Sequence, residues 1–209
     1  MQQGTDEWFA ARLGKVTASR CHEVIARTKS GYSAARKRYM DDLIEQRLTG
    51  KFPETYSSNE MSWGVTTEPF ARERYESERW VEVEEVGLVN HQWVTESCAS
   101  PDGLIGSDGL IEIKCPKTTT MINYVTSETI PDNYQTQMLW QLACTQRKWC
   151  DFVVFDPRLP FDMQIWIKRF EPDVDEIGLL ESEVRQFLFE VTEKLETFEK
   201  RVGRNGRDT

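Results

Sequence analysis

The sequence predicts an α/β fold, a mixed sheet flanked by helices. Three observations carry this prediction. Apolar residues recur at helical spacing before residue 79; the turn run Gly106-Ser107-Asp108-Gly109 separates two apolar segments; and a second pair of apolar runs, 151–156 and 163–170, lies beyond further helical segments. In order, residues 6–11 read as a short helix, and Thr17 or Ser19 caps a second running to about Arg27. Ser33 opens a third, with Tyr39, Met40, Leu43, Ile44 and Leu48 on one face, and residues 60–78 form a fourth around Trp63, Phe70, Ala71 and Tyr75. Strands follow at 80–89, 94–104 and 110–114, the last two joined as a hairpin by the Gly-Ser-Asp-Gly turn. Helices are expected at 118–126 and from Pro131, which suits a first turn, to about Cys144. After the two later strands, residues 173–201 form a long helix with Ile177, Leu180, Val184, Phe187, Leu188, Val191, Leu195 and Phe198 along one face.

At 209 residues, with no Pro- or Gly-rich linker and no internal repeat, the chain reads as one domain. Its expected parts are N-terminal helices over 1–78, a core over 79–170, a C-terminal helix over 171–202 and a frayed tail over 203–209. An apolar share of 39%, with 7 Trp, 6 Tyr and 10 Phe, excludes wholesale disorder. No apolar run is long enough to cross a membrane, and the N-terminus lacks the basic and apolar blocks of a secretory signal. The 5 cysteines are therefore expected as reduced thiols and not as a disulfide framework or a zinc site. The net charge of −9 argues against a simple electrostatic nucleic-acid binder, but the charge is unevenly spread. Residues 1–40 hold eight basic side chains against three acidic ones, whereas residues 171–199 hold ten acidic against two basic. A polyanion at the basic end and two ordinary solvated helix faces both satisfy that pattern.

The chemistry concentrates in residues 99–117. Folding this stretch about Ser107–Asp108 brings Asp102 on one strand close to Glu112 on the other, with Lys114 on the same face as Glu112 and Ile111 and Ile113 on the opposite, core face. Two carboxylates side by side are costly to bury unless a cation lies between them. Hard oxygen donors without nearby His or Cys select Mg2+ or Mn2+ over zinc. An adjacent lysine orients water or stabilises developing negative charge. Together these groups suit phosphodiester hydrolysis. The plain alternative is a pair of strand-end carboxylates with Lys114 as salt-bridge partner. Asp108 is better explained as a turn residue before Gly109 than as a ligand. His22 and His91, 69 residues apart, do not make a histidine-based triad, and Cys115 is expected to pack inward. Trp8 and Trp63 are core aromatics or DNA contacts.

The Ser-Pro-Asp-Gly segment at 100–103 and the Glu-Ile-Lys-Cys-Pro segment at 112–116 resemble the core of PD-(D/E)xK nucleases, and more narrowly the phage lambda exonuclease family, also called the YqaJ family. WFAARLGKVTAS at 8–19, WGVTTE at 63–68, YQTQMLW at 134–140 and FDPR at 155–158 agree in order and spacing, so the resemblance spans roughly residues 5–170. Compared with the lambda enzyme the chain is shorter at the N-terminus, and the segment between Lys114 and Gln137 is about three residues shorter, so the DNA contacts of that segment do not carry over.

The resemblance implies that Asp102, Glu112 and the backbone carbonyl of Ile113 hold Mg2+, or Mn2+, as two ions. It implies that Lys114 positions or activates the attacking water and that Glu68 completes the acidic shell. Arg12, Ser19, Ser100 and Gln137, with Thr17 beside them, would receive a 5′-terminal phosphate. Arginine offers a planar fork to phosphate oxygens, and a serine at a helix N-terminus sits where free N–H groups favour an anion. Taken singly, Arg12 also reads as a surface arginine, Ser19 as a cap, and Gln137 and Glu68 as exposed helix residues.

The implied function is a 5′-to-3′ exonuclease on double-stranded DNA ends, releasing mononucleotides and leaving 3′ overhangs for recombination by strand annealing. The resemblance further implies a ring-shaped homotrimer, a single-strand annealing protein as partner, no membrane, and a phage or prophage enzyme in the bacterial cytoplasm. An endonuclease on the same core and a catalytically inactive DNA-binding module are the alternatives.

Overall fold

The apolar hairpin around Gly106–Gly109 becomes the middle of the main sheet. The computed structural model describes residues 2–52 and 59–205. The N-terminal part contains α1 (Asp6–Arg12), β1 (Val16–Thr17), a 3-10 turn (Ala18–Arg20) and α2 (Cys21–Ile25). It continues through a small hairpin of β2 (Arg27–Thr28) and β3 (Gly31–Tyr32) into α3 (Ala34–Thr49) and α4 (Asn59–Arg79). Strands β4 (Val83–Glu84), β5 (Val89–Asn90), β6 (Ser97–Ala99), β7 (Gly103–Ile105) and β8 (Gly109–Lys114) follow. After α5 (Thr118–Ser127) and α6 (Asp132–Thr145) come β9 (Trp149–Phe155), β10 (Ile165–Phe170) and α7 (Val174–Asn205).

The five-stranded sheet runs β10-β9-β8-β7-β4, with β8 and β9 parallel and the other pairs antiparallel. A parallel pair requires a crossover, here supplied by α5 and α6. Strand β8 is buried on both faces. Ile111 and Ile113 join Val153, Phe155, Ala71 and Tyr75 on the α4 side. Leu110 joins Phe152, Val154, Met138 and Leu142 on the α6 side. Glu112 shares the parity of Leu110, so it is aimed at α6. A third cluster packs α2, α3, α6 and α7 around Tyr39, Leu43, Trp140, Val184 and Phe187. No helix among the described residues is long and apolar enough to cross a membrane.

The mixed α/β architecture is as the sequence predicts, with three corrections. The long strands expected at 80–89 and 94–104 are each broken, and their pieces enter different sheets: β4 and β7 the main one, β5 and β6 a three-stranded sheet ordered β1-β6-β5. Between β6 and β7 the break falls at Pro101, which has no N–H to give a ladder. The helix expected from Thr17 or Ser19 to Arg27 is shorter. Thr17 belongs to β1, paired in parallel with Cys98, and its side chain caps nothing; Ser19 lies in the 3-10 turn; α2 ends at Ile25 because Arg27 pairs with Tyr32. At the other end α7 runs on to Asn205, through residues expected to fray; residues 206–209 lie outside the described residues.

Gly103 has a strict steric reason. A Cβ there would lie 2.1 Å from Val83 Cγ1 and 3.1 Å from Ile111 Cγ2. Gly103→Ala is expected to destabilise the fold by about 1–3 kcal/mol through overpacking. The added substitution Val83→Ala should recover most of that loss in a denaturation double-mutant cycle, because it removes the atom in the way.

Candidate active site

The antiparallel register of β7 and β8 pairs Gly103 with Ile111, which places Asp102 beside Glu112. Asp102 Oδ2 accepts a hydrogen bond from the Ile113 N–H at 2.6 Å. Glu112 is only 1% exposed, so its charge must be met within the protein. Its Oε1 receives Lys114 Nζ at 2.5 Å and Gln137 Nε2 at 2.7 Å, while its Oε2 receives Gln141 Nε2 at 2.5 Å. Lys114 Nζ also stands 4.9 Å from the centre of the Tyr134 ring.

The electrostatics show a site short of positive charge. Burial, and then the like charges of Glu112 and Glu68, push the Asp102 carboxyl well above the usual carboxylate range; Lys114 and the Ile113 N–H oppose this without cancelling it. Glu68 is raised chiefly by burial, with Arg72 opposing. Burial works against the Lys114 ammonium, but Glu112 and Asp102 outweigh it and hold its pKa above the ordinary lysine value.

One cavity of about 170 Å3 collects most of the residues singled out from the sequence. Arg12, Thr17, Ser19, Ser100, Asp102, Glu112, Lys114 and Gln137 line it, together with Gln3, Trp8, Ala18, Cys98 and Ala99. Glu68 and Ile113 are not among the lining residues. The Ile113 side chain is in the core, and Glu68 on α4 is bound to Arg72 at 2.8 Å. That same Arg72 nitrogen donates to the Asp102 carbonyl at 3.3 Å, so α4 is tied to the site through an arginine that the sequence did not single out. Gln141 was also missed. Its signal was the four-residue spacing from Gln137, which puts both amides on one face of α6.

Arg12 stacks on Trp8, with its guanidinium carbon 3.9 Å from the ring centre. Trp8 Nε1 in turn donates to Ser100 Oγ at 2.9 Å. Burial pushes the Arg12 pKa down, Cys98 and Tyr39 opposing, and among the described residues no carboxylate pairs with it. A cation without a carboxylate partner, in a cavity with the hydroxyl-bearing Thr17, Ser19 and Ser100, is suited to an anion.

Among the described residues no group of three or more His, Cys, Asp or Glu side chains is gathered into a closed metal cage. The donor set is open: Asp102 and Glu112 could hold a divalent ion from one side and leave its other positions to water and phosphate oxygens. That suits Mg2+, which gives up its waters reluctantly. Burial, then Glu112 and Glu68, raise Asp102, and a divalent cation beside it would oppose that shift.

Residues 7–148 match the family described as the YqaJ-like viral recombinase domain. The chain belongs to the YqaJ-like viral recombinase family. The crystal structure of an alkaline exonuclease, LHK-Exo, from Laribacter hongkongensis is similar at 46% identity and a TM-score of 0.89, covering 96% of this chain and 99% of that one. The same enzyme in complex with dAMP is similar at 47% identity and a TM-score of 0.89, again with 96% and 99% covered. A phage-related exonuclease from Haemophilus somnus 129PT, at 10% identity and a TM-score of 0.66 over 90% of this chain and 96% of that one, shares the fold. No curated protein matches the chain. The resemblance to lambda exonuclease-type enzymes and the PD-(D/E)xK-like core are borne out, and this member of the recombinase family is a nuclease.

Proposed function

We propose that the protein is a Mg2+-dependent exonuclease that degrades double-stranded DNA from the 5′ end, releases mononucleotides and leaves 3′ single strands for recombination by annealing. The observation that carries this reading is a single cavity lined by both the Asp102–Glu112–Lys114 group and the Arg12–Ser19–Ser100 group. Asp102, Glu112 and the Ile113 carbonyl would hold the ions, with Glu68 behind them; Mn2+ would substitute. When bound, the ions supply charge neutralisation and activation of water. Lys114 holds its proton and orients the water by donating to it. Arg12, Ser19, Ser100 and Gln137, with Thr17 at the edge, grip the terminal 5′-phosphate. An anchored strand end fixes which phosphodiester meets Lys114 and the carboxylates, and so fixes direction. The dAMP complex of the similar enzyme supports mononucleotide release.

In this reading three copies form a ring around the duplex. Its basic N-terminal regions face the channel, its acidic surface repels DNA elsewhere, and a single-strand annealing protein in the bacterial cytoplasm receives the product. The test is digestion of linear 5′-phosphorylated duplex beside supercoiled circular DNA, with Mg2+. Linear DNA should be consumed to mononucleotides and the circle left intact. A cut circle would make the enzyme an endonuclease, and stable binding without turnover would make it a binding module. Arg12→Ala is expected to lower the preference for 5′-phosphorylated over 5′-hydroxyl ends by about 10-fold, the weight of one charge-assisted contact; the ratio of initial rates on the two substrates measures it.

A further inference from the structure

Gln141 is 0% exposed on α6, yet only half of its amide is satisfied. Its Nε2 donates to Glu112 Oε2 at 2.5 Å, whereas among the described residues its buried Oε1 has no hydrogen-bond partner. Turning the amide over would set Oε1 against the Glu112 carboxylate, oxygen facing oxygen, so Glu112 dictates the orientation. Its helix neighbours Met138 and Leu142 are buried apolar residues, and an apolar side chain at 141 would carry no orphan oxygen. A buried amide left half-satisfied in such surroundings points to the one contact it makes. Glu112 has about four lone-pair sites for partners. Lys114 and Gln137 both use Oε1, and Gln141 occupies one side of Oε2.

We propose that Gln141 is a positioning residue for the metal-holding carboxylate. It locks the plane of Glu112 so that a single edge remains for a divalent cation, and, being neutral, it donates without cancelling the charge that attracts the ion. Lys114, which contacts the same carboxylate, does not meet the second condition. The inference rests on the proposal that Asp102 and Glu112 hold the metal.

The test is Mn2+ binding to the full chain, followed by electron paramagnetic resonance without DNA. Gln141→Met keeps the volume and removes both the donor and the orphan oxygen. Its Mn2+ Kd is expected to rise by about 10- to 100-fold, the usual effect of removing a group that orients a ligand, with KM for DNA unchanged. A merely structural glutamine would shift the thermal midpoint and leave the Mn2+ Kd alone, and a parental Kd in Gln141→Met overturns the proposal. Glu112→Gln separates the two levels, since unchanged Mn2+ binding there overturns the metal reading itself. A second measurement needs no variant. The side-chain amide resonance of Gln141 should move as Mg2+ is titrated into the unmodified protein, and a resonance unmoved at saturation refutes the role.

Discussion

Replacing Lys114 with alanine is expected to reduce kcat by about 10³-fold, the scale seen when one preorganised donor is removed from a reaction centre. The affinity for linear duplex should stay close to that of the parent. The expectation follows from placement. Lys114 contacts Glu112 at 2.5 Å and lines the cavity, while the contacts suited to a terminal phosphate come from other elements, α1 around Arg12 and the Ser100 segment. Glu112 and Asp102 outweigh burial and favour its ammonium form, which suits a donor to the attacking water. Lys114→Arg should therefore not restore the rate, although it keeps the charge: a planar fork does not place its donors where an ammonium does. Single-turnover cleavage together with duplex binding in Ca2+ separates the two quantities. A parental rate in Lys114→Ala would remove the residue from the chemistry.

The largest stability effect is expected at Asp151. This carboxylate is 0% exposed on β9 and faces α4. It accepts from Arg169 at 2.7 and 3.0 Å and from the Tyr75 hydroxyl at 2.7 Å. Asp151→Ala strands both partners. Because Arg169 is partly exposed and retreats to water, the loss is set at the low end for a broken buried pair, about 3 kcal/mol. For a domain of this size that corresponds to roughly 6–12 °C in Tm. Asp151 lies on the sheet face away from Glu112, so below the melt the variant should keep its kcat. Calorimetry and a rate measured well below the transition check both halves.

The hairpin and its chemistry were legible because two short-range rules decide them. The turn sets the register, and the two-residue period then assigns Glu112 and Lys114 to one face and Ile111 and Ile113 to the other. The amphipathic helices α3 and α7 were legible for a similar reason. The strands between 80 and 104 were not: each run reads as one strand, whereas its two pieces pair in different sheets, one of the breaks falling at Pro101, which has no N–H to give. The end of α2 was hidden because pairing of Arg27 with Tyr32 overrides a weak helical preference. Arg72 was invisible as a site residue because its partner is 30 residues along the chain at Asp102, and Gln141, 29 residues from Glu112, showed only through its four-residue spacing from Gln137. An isolated arginine on a helix carries no mark of what will face it.

Helix α6 presents Gln137 and Gln141 to Glu112, while Met138 and Leu142 pack into the cluster under the main sheet and Trp140, Ala143 and Cys144 into the cluster beneath α7. It is a partition wall shared by two rooms, and neither can be vacated without shifting it. Its amides should therefore exchange with solvent only through global unfolding, the slowest class in the molecule.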